Sequence, residues 1–170
     1  IDLNFLQKFK RLILRNSNKY KFIIVCGGGS IARKYINALR KAGLNEKFQS
    51  FSGISATRMN ARFMNYFFGI SPELGIPQTT ETLKKYVKKQ DVIFSGALEY
   101  KPRQTSDSTA AQLAAHFRTI FITMTNVAGL YNKNPLEHKD ARMIPRISWK
   151  EFHRMATKEG FKPGQHFVLD

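Results

Sequence analysis

An apolar run, Phe22 to Cys26, breaks into Gly27-Gly28-Gly29 and then into the helical spacing of Ile31, Tyr35, Ile36 and Leu39. Strand, glycine turn and helix in that order present main-chain amides to an anion. Glycine has no Cβ, so phosphate can approach the backbone closely, and the first-turn N–H groups of the helix lack internal partners and carry partial positive charge. One such contact contributes only about 0.3–1 kcal/mol at an exposed site, so specific binding needs an added cation. Arg33 sits one turn inside the helix, where its guanidinium fork suits phosphate. Taken alone, the stretch is equally a ligand-free turn, because it matches neither G-x-x-x-x-G-K-[ST] nor G-x-G-x-x-G.

The alternation of strand and helix continues along the chain. Phe5, Leu6, Phe9, Leu12 and Ile13 fall at helical spacing with Lys8, Arg11 and Arg15 between them, which reads as a surface helix over 3–15. Further helices are predicted over about 54–68, 80–89, 107–117 and 148–157, and further strands over 91–96 and 119–124. The pattern indicates an α/β sandwich with a mostly parallel sheet, and 170 residues fit one domain with a sizeable core.

Twenty-eight Lys and Arg stand against twelve Asp and Glu, a net charge of +16. Such a balance attracts nucleotides, nucleic acid or acidic surfaces without choosing among them. The basic residues are dispersed, as on a solvated surface, with no basic tail, so nucleic acid ranks last among the partners. Cys26 is the only cysteine, which excludes a disulfide framework and fits a reducing cytoplasm. No apolar run reaches the roughly 18 residues of a membrane span, and no signal peptide is evident. A soluble cytoplasmic protein is expected.

Three loops follow apolar strands: Gly27 to Arg33, Gly96 to Asp107, and Thr125 to Pro135. Ligands of open α/β sheets bind beyond the carboxyl ends of the strands, so the three are expected to converge on one cleft. In the second, Thr105-Ser106-Asp107-Ser108-Thr109 brings hydroxyls and a carboxylate to a helix start; this is also simply an N-cap. Asp107 is one of five aspartates, and in phosphoryl transfer a carboxylate commonly keeps a cation in register. The third loop offers amides, hydroxyls and Tyr131, whose ring is either a purine face or a core residue. His116, His138, His153 and His166 lack metal-ligand spacing, which argues against zinc.

Residues 26–43 (CGGGSIARKYINALRKAG), 53–63 (GISATRMNARF), 102–117 (PRQTSDSTAAQLAAHF), 125–135 (TNVAGLYNKNP) and 162–170 (KPGQHFVLD) together resemble, in order, the archaeal-type uridylate kinases of the amino acid kinase superfamily. The resemblance implies a three-layer α/β/α fold and transfer of the ATP γ-phosphoryl group to UMP, with Mg2+, in pyrimidine nucleotide biosynthesis. It also implies a hexamer, as a trimer of dimers. By position, Gly27, Gly28 and Arg33 would hold the UMP phosphate, with Thr105 and Ser106 near the acceptor nucleotide. Asp107 matches the catalytic aspartate, which orients the lysines that neutralise the moving phosphoryl group, and Asn126, Gly129 and Tyr131 fall in the ATP-binding loop.

The chain departs from the family pattern at several points. Ser50 replaces an aspartate that contacts the acceptor ribose, Arg103 a glycine, Ala128 an aspartate and Asn134 an acidic residue, and the loop before Arg103 is longer by about two residues. The family opens with a strand carrying K-x-G-G-S and continues beyond the match to Asp170, so a natural chain longer at both ends is expected. Two functional classes follow: a UMP kinase, or a nucleotide-binding subunit of the same fold with impaired catalysis. An isopentenyl phosphate kinase is disfavoured because Ile31-Ala32-Arg33 stands where that enzyme's glycine loop continues to a histidine.

Overall fold

The computed structural model describes residues 1–102, 104–125, 127–135 and 137–159. Two strands, β1 (Phe22–Val25) and β2 (Val92–Ser95), pair in parallel, with Phe22 opposite Val92 and Val25 opposite Ser95. Side chains alternate across a strand, and here both faces are apolar. Phe22, Ile24, Cys26, Val92 and Phe94 join one core cluster, and Ile23, Val25 and Ile93 join another. A sheet buried on both faces needs a helical layer on each side.

The described residues form six α-helices, α1 (Leu3–Asn16), α2 (Gly29–Lys41), α3 (Glu46–Phe68), α4 (Thr80–Val87), α5 (Ser106–Phe117) and α6 (Trp149–Glu159), and the layers come from α1 to α5. On one face, Ile13 of α1 and Ala61, Met64 and Phe68 of α3 close over Phe94, whose ring meets Phe68 edge-on with centroids 4.7 Å apart. On the other, Leu83 of α4 and Leu113 of α5 cover Ile93. α2 lies against α3 through Ala32, Ile36 and Ala56. Three layers, helix on sheet on helix, are the result, as in the fold that the resemblance implies.

The helix ends follow local chemistry. Asp2 caps α1 by accepting from Phe5 N, Asn45 caps α3 by accepting from Lys47 N and Phe48 N, and Thr79 caps α4 through Thr82 N. α3 ends at Gly69, whose φ of 77° is the left-handed turn that glycine adopts without steric cost. Ser148 and Glu151 reciprocally cap the start of α6.

Two expectations are corrected. The helix predicted from about residue 54 begins at Glu46, because Asn45 supplies a cap nine residues earlier and the exposed Phe48 and Phe51 blur the apolar stripe. The strand predicted over 119–124 forms no ladder. Ile120 and Ile122 are 84% and 76% exposed. An apolar run is a strand only when a neighbour takes up its backbone hydrogen bonds, and among the described residues none pairs with this one. Cys26 packs as a small apolar residue, and burial pushes its thiol pKa up to about 12. No helix of the described residues is long and apolar enough to cross a membrane.

Candidate functional site

The turn after β1 leads directly into α2. Gly28 is the N-cap and provides no side-chain cap, while Gly29 has a φ of 60°. The first intrahelical bond runs from Ala32 N to Gly28 O at 3.2 Å, so the amides of residues 29–31 lack helical acceptors. This helix start is open. Asn60 of α3 holds the turn in place by donating from Nδ2 to Gly27 O at 2.7 Å. Arg33 is half-buried on the second turn and belongs to no ion pair among the described residues.

Gly28 also permits close packing. A Cβ there would lie 2.4 Å from Ala32 Cβ and 3.5 Å from Gly53 O and Thr57 Cγ2, so the turn sits directly on α3. At Gly27 the direction is different. A Cβ there would lie 3.7 Å from Ser106 Oγ, which brings the first loop against the start of α5.

At α5 the helix start is closed. Thr105 Oγ1 accepts from Ser108 N, and Ser108 Oγ accepts from Thr105 N, a reciprocal capping box. The capping alternative for this segment is therefore realised. It uses Thr105 and Ser108 and leaves Ser106 and Asp107 for other contacts. Asp107 is half-buried, makes no ion pair among the described residues, and burial raises its carboxyl pKa above the ordinary aspartate value. A carboxylate held partly out of water and unpaired is an acceptor in search of a cation or proton.

Two residues of α3 join the second loop to the first. Thr57 Oγ1 accepts from Ala97 N at 2.9 Å, and Arg58 donates from Nε to Ala97 O at 3.3 Å and from Nη2 to Leu98 O. Gly96 is required at this junction, because a Cβ would lie 2.6 Å from Arg58 N. Burial lowers the Arg58 pKa, and the two carbonyls compensate part of the lost hydration. Thr57, Arg58 and Asn60 belong to a segment whose sequence carries the resemblance, yet nothing in their spacing assigns them these partners. The one local signal is the set of small residues Gly53, Ala56 and Thr57 on α3, which lets two glycine loops approach.

The third loop folds back on the segment that follows it. Tyr131 bridges antiparallel to Met143, Ile144 N donates to Leu130 O at 2.7 Å, and Asn132 N donates to Arg142 O at 3.0 Å. Gly129 faces Met143, whose Sδ would be 3.7 Å from a Cβ there. Lys133 pairs with Asp140 across the same turn. Gly129 and Tyr131 thus make these contacts within residues 129–144, while Gly27 and Ser106 are brought together where the first two loops meet. Asn126 and Arg103, like His166 and the closing segment 162–170, lie outside the described residues.

Among the described residues no group of three or more His, Cys, Asp or Glu side chains could hold a metal ion. Among the described residues of the two loop turns that meet here, Asp107 supplies a carboxylate. That donor set suits a magnesium ion carried chiefly by nucleotide phosphates and water, which needs only one or two protein carboxylates.

Comparison with known proteins agrees with this geometry. The model of the amino acid kinase family matches residues 3–166. A uridylate kinase of Hyperthermus butylicus is 35% identical over 153 residues, covering 89% of this chain and 66% of that protein. One from Thermoplasma volcanium is 35% identical over 173 residues, covering 100% of this chain and 74% of that protein. The crystal structure of uridylate kinase from Archaeoglobus fulgidus superposes with a TM-score of 0.76 at 26% identity, over 96% of this chain and 75% of that one. With its family model, its relatives and its fold in accord, the chain belongs to the amino acid kinase family, among the uridylate kinases.

Proposed function

We propose that the protein is a UMP kinase: an oxygen of the UMP phosphate bonds to the γ-phosphorus of ATP, the bond from that phosphorus to the β–γ bridging oxygen breaks, and UDP and ADP leave. The observation that carries the reading is the meeting of Gly27 and Ser106, which sets the open start of α2 opposite the side chains that begin α5. The amides of residues 29–31 and Arg33 would hold the acceptor phosphate. Its negative charge matches both the helix dipole and the guanidinium. Ser106 donates a hydroxyl from the opposite wall, and Thr105 contributes by fixing that wall, since its own hydroxyl is engaged in the cap.

Asp107 acts by position. The transition state of phosphoryl transfer is loose and spreads charge over the equatorial oxygens, so catalysis comes from alignment and positive charge. A carboxylate at this point orients the cations that meet that charge. Asp107 would help to hold a magnesium ion brought in with the nucleotide, which would offset phosphate charge there. Gly129 and Tyr131, with Asn126, are assigned to the ATP side on the resemblance. A hexameric assembly in the cytoplasm and a single domain complete the reading; exposed Leu3, Phe5, Leu12 and Tyr66 on α1 and α3 supply apolar surface for association, which light scattering measures.

The test is direct. Incubation with ATP, Mg2+ and UMP should yield UDP, and calorimetry should detect UMP binding without ATP. Absence of both overturns the reading, while binding without UDP formation identifies a nucleotide-binding subunit instead.

A further inference from the structure

Basic residues that are dispersed along the sequence are gathered by the fold at the end of the sheet away from the glycine turn. β1 and β2 run parallel, so the segments that precede them meet at their amino ends. Two contacts join these segments: Phe22 N donates to Asp91 O at 2.7 Å, and Lys21 Nζ donates to Val87 O at 2.7 Å. Lys19, Lys21, Lys84, Lys85, Lys88 and Lys89 are all exposed here, and Asp91 is the one acidic residue of 17–21 and 84–91. Two basic runs become one patch.

Stability of the fold does not account for so many cations. The last carbonyls of α4 attract positive charge, and Lys21 already meets that of Val87 while pairing with Asp91 at 3.6 Å. The other lysines oppose one another. Helical bonding runs past Val87, since Gln90 N donates to Tyr86 O at 2.9 Å, so Lys84 and Lys88, and likewise Lys85 and Lys89, are like charges one turn apart. Such pairs destabilise a helix, and an external anion offsets their repulsion. Leu83, Tyr86 and Val87 pack in the core, so α4 presents no apolar stripe that could enter a bilayer. Tyr20, 62% exposed, lies beside Lys19 and Lys21 and meets Phe22 edge-on with ring centroids 6.5 Å apart. An exposed ring among cations suits a ligand that carries both bases and phosphates.

We propose that this patch binds single-stranded nucleic acid, with phosphates along the lysines of α4 and a base stacked on Tyr20. A duplex keeps its bases stacked on one another, whereas a single strand can turn one onto the ring. Affinity then comes from release of counterions by the lysines and from a ring contact that every base can make, so little sequence preference is expected. The patch lies at the amino ends of the strands and the glycine turn beyond their carboxyl ends. A bound strand therefore leaves the start of α2 open.

Fluorescence anisotropy of a labelled oligoadenylate of about 20 nucleotides, at stepped KCl concentrations, tests this on the wild type and three variants. One is the double variant Lys88→Gln with Lys89→Gln, one is Lys150→Gln with Arg154→Gln on α6, which removes the same charge elsewhere, and one is Tyr20→Leu; circular dichroism checks that each is folded. The α4 pair should weaken binding about tenfold or more at low salt and make the slope of log affinity against log salt shallower by about 1.4. The α6 pair should stay within about twofold of wild type. Tyr20→Leu should weaken binding about fivefold or more with the slope unchanged, because a stacked base releases no counterion. Equal loss in the two double variants would reduce the interaction to net charge and overturn the proposal, as would no binding by the wild type at low salt. Wild-type binding by Tyr20→Leu would remove the stacked base, and displacement of the strand by UMP would move it to the start of α2; either result overturns the proposal. So does binding to vesicles of phosphatidylserine and phosphatidylcholine without binding to the oligoadenylate.

Discussion

The helices α2 and α5 both begin beyond the carboxyl ends of the two paired strands, yet their first turns are built differently. α5 opens with a complete capping box, in which Thr105 and Ser108 satisfy each other's backbone amides. α2 opens on Gly28 with no side-chain cap at all. A side chain at an N-cap typically contributes about 1 kcal/mol. The chain accepts that stability at α5 and forgoes it at α2, where glycines also admit close approach. Under the proposed function this difference divides the work of the cradle: backbone amides of α2 would face the acceptor phosphate, and side chains at the capped start of α5 would face it from the other side.

The largest expected effect comes from the side-chain half. Asp107→Asn removes a carboxylate without changing its shape, and turnover of UMP and ATP should fall by about a hundredfold or more while UMP affinity stays within about twofold. The same variant should be more heat-stable than wild type at pH 7. Burial raises the Asp107 pKa in the folded protein, so the fold binds this proton more tightly than the unfolded chain does, and stability is lost as pH rises through the folded pKa. The stability gap between the two proteins should therefore narrow as pH falls towards the ordinary aspartate value, which melting curves at stepped pH measure.

Next comes the backbone half. Gly28→Ala sets a Cβ 2.4 Å from Ala32 Cβ and forces the turn to move. UMP affinity should fall by about tenfold to a hundredfold, since hydrogen bonds to charged groups contribute about 1.5–3 kcal/mol. Calorimetry reads this directly, and an unaltered affinity would place the phosphate elsewhere. The smallest effect belongs to the closed helix. Thr105→Ala should cost about 1 kcal/mol and lower the Tm by about 2–4 °C, because it removes a cap and not a ligand contact.

Much of this arrangement is legible in the sequence because it is local. The two strands, the glycine turn and the hydroxyl-rich start of α5 all follow from apolar periodicity and capping chemistry, and the meeting of the first two loops follows from the topology of a parallel sheet. The contacts from α3 are not legible in the same way. Asn60 reaching Gly27 O and Arg58 reaching Ala97 O and Leu98 O join residues 33 to 40 positions apart, and no spacing rule connects them. The run 119–124 teaches the converse. Its apolar pattern is that of a strand, but strand formation depends on a neighbour's hydrogen bonds, which periodicity does not report.

Titration of the isotopically labelled protein with UMP, followed through backbone amide resonances, tests the division between the two helices most directly. The account predicts the largest shifts at residues 29–31 of α2, with the capped amide of Ser108 little changed. Shifts concentrated at the start of α5, with residues 29–31 unmoved, would contradict it.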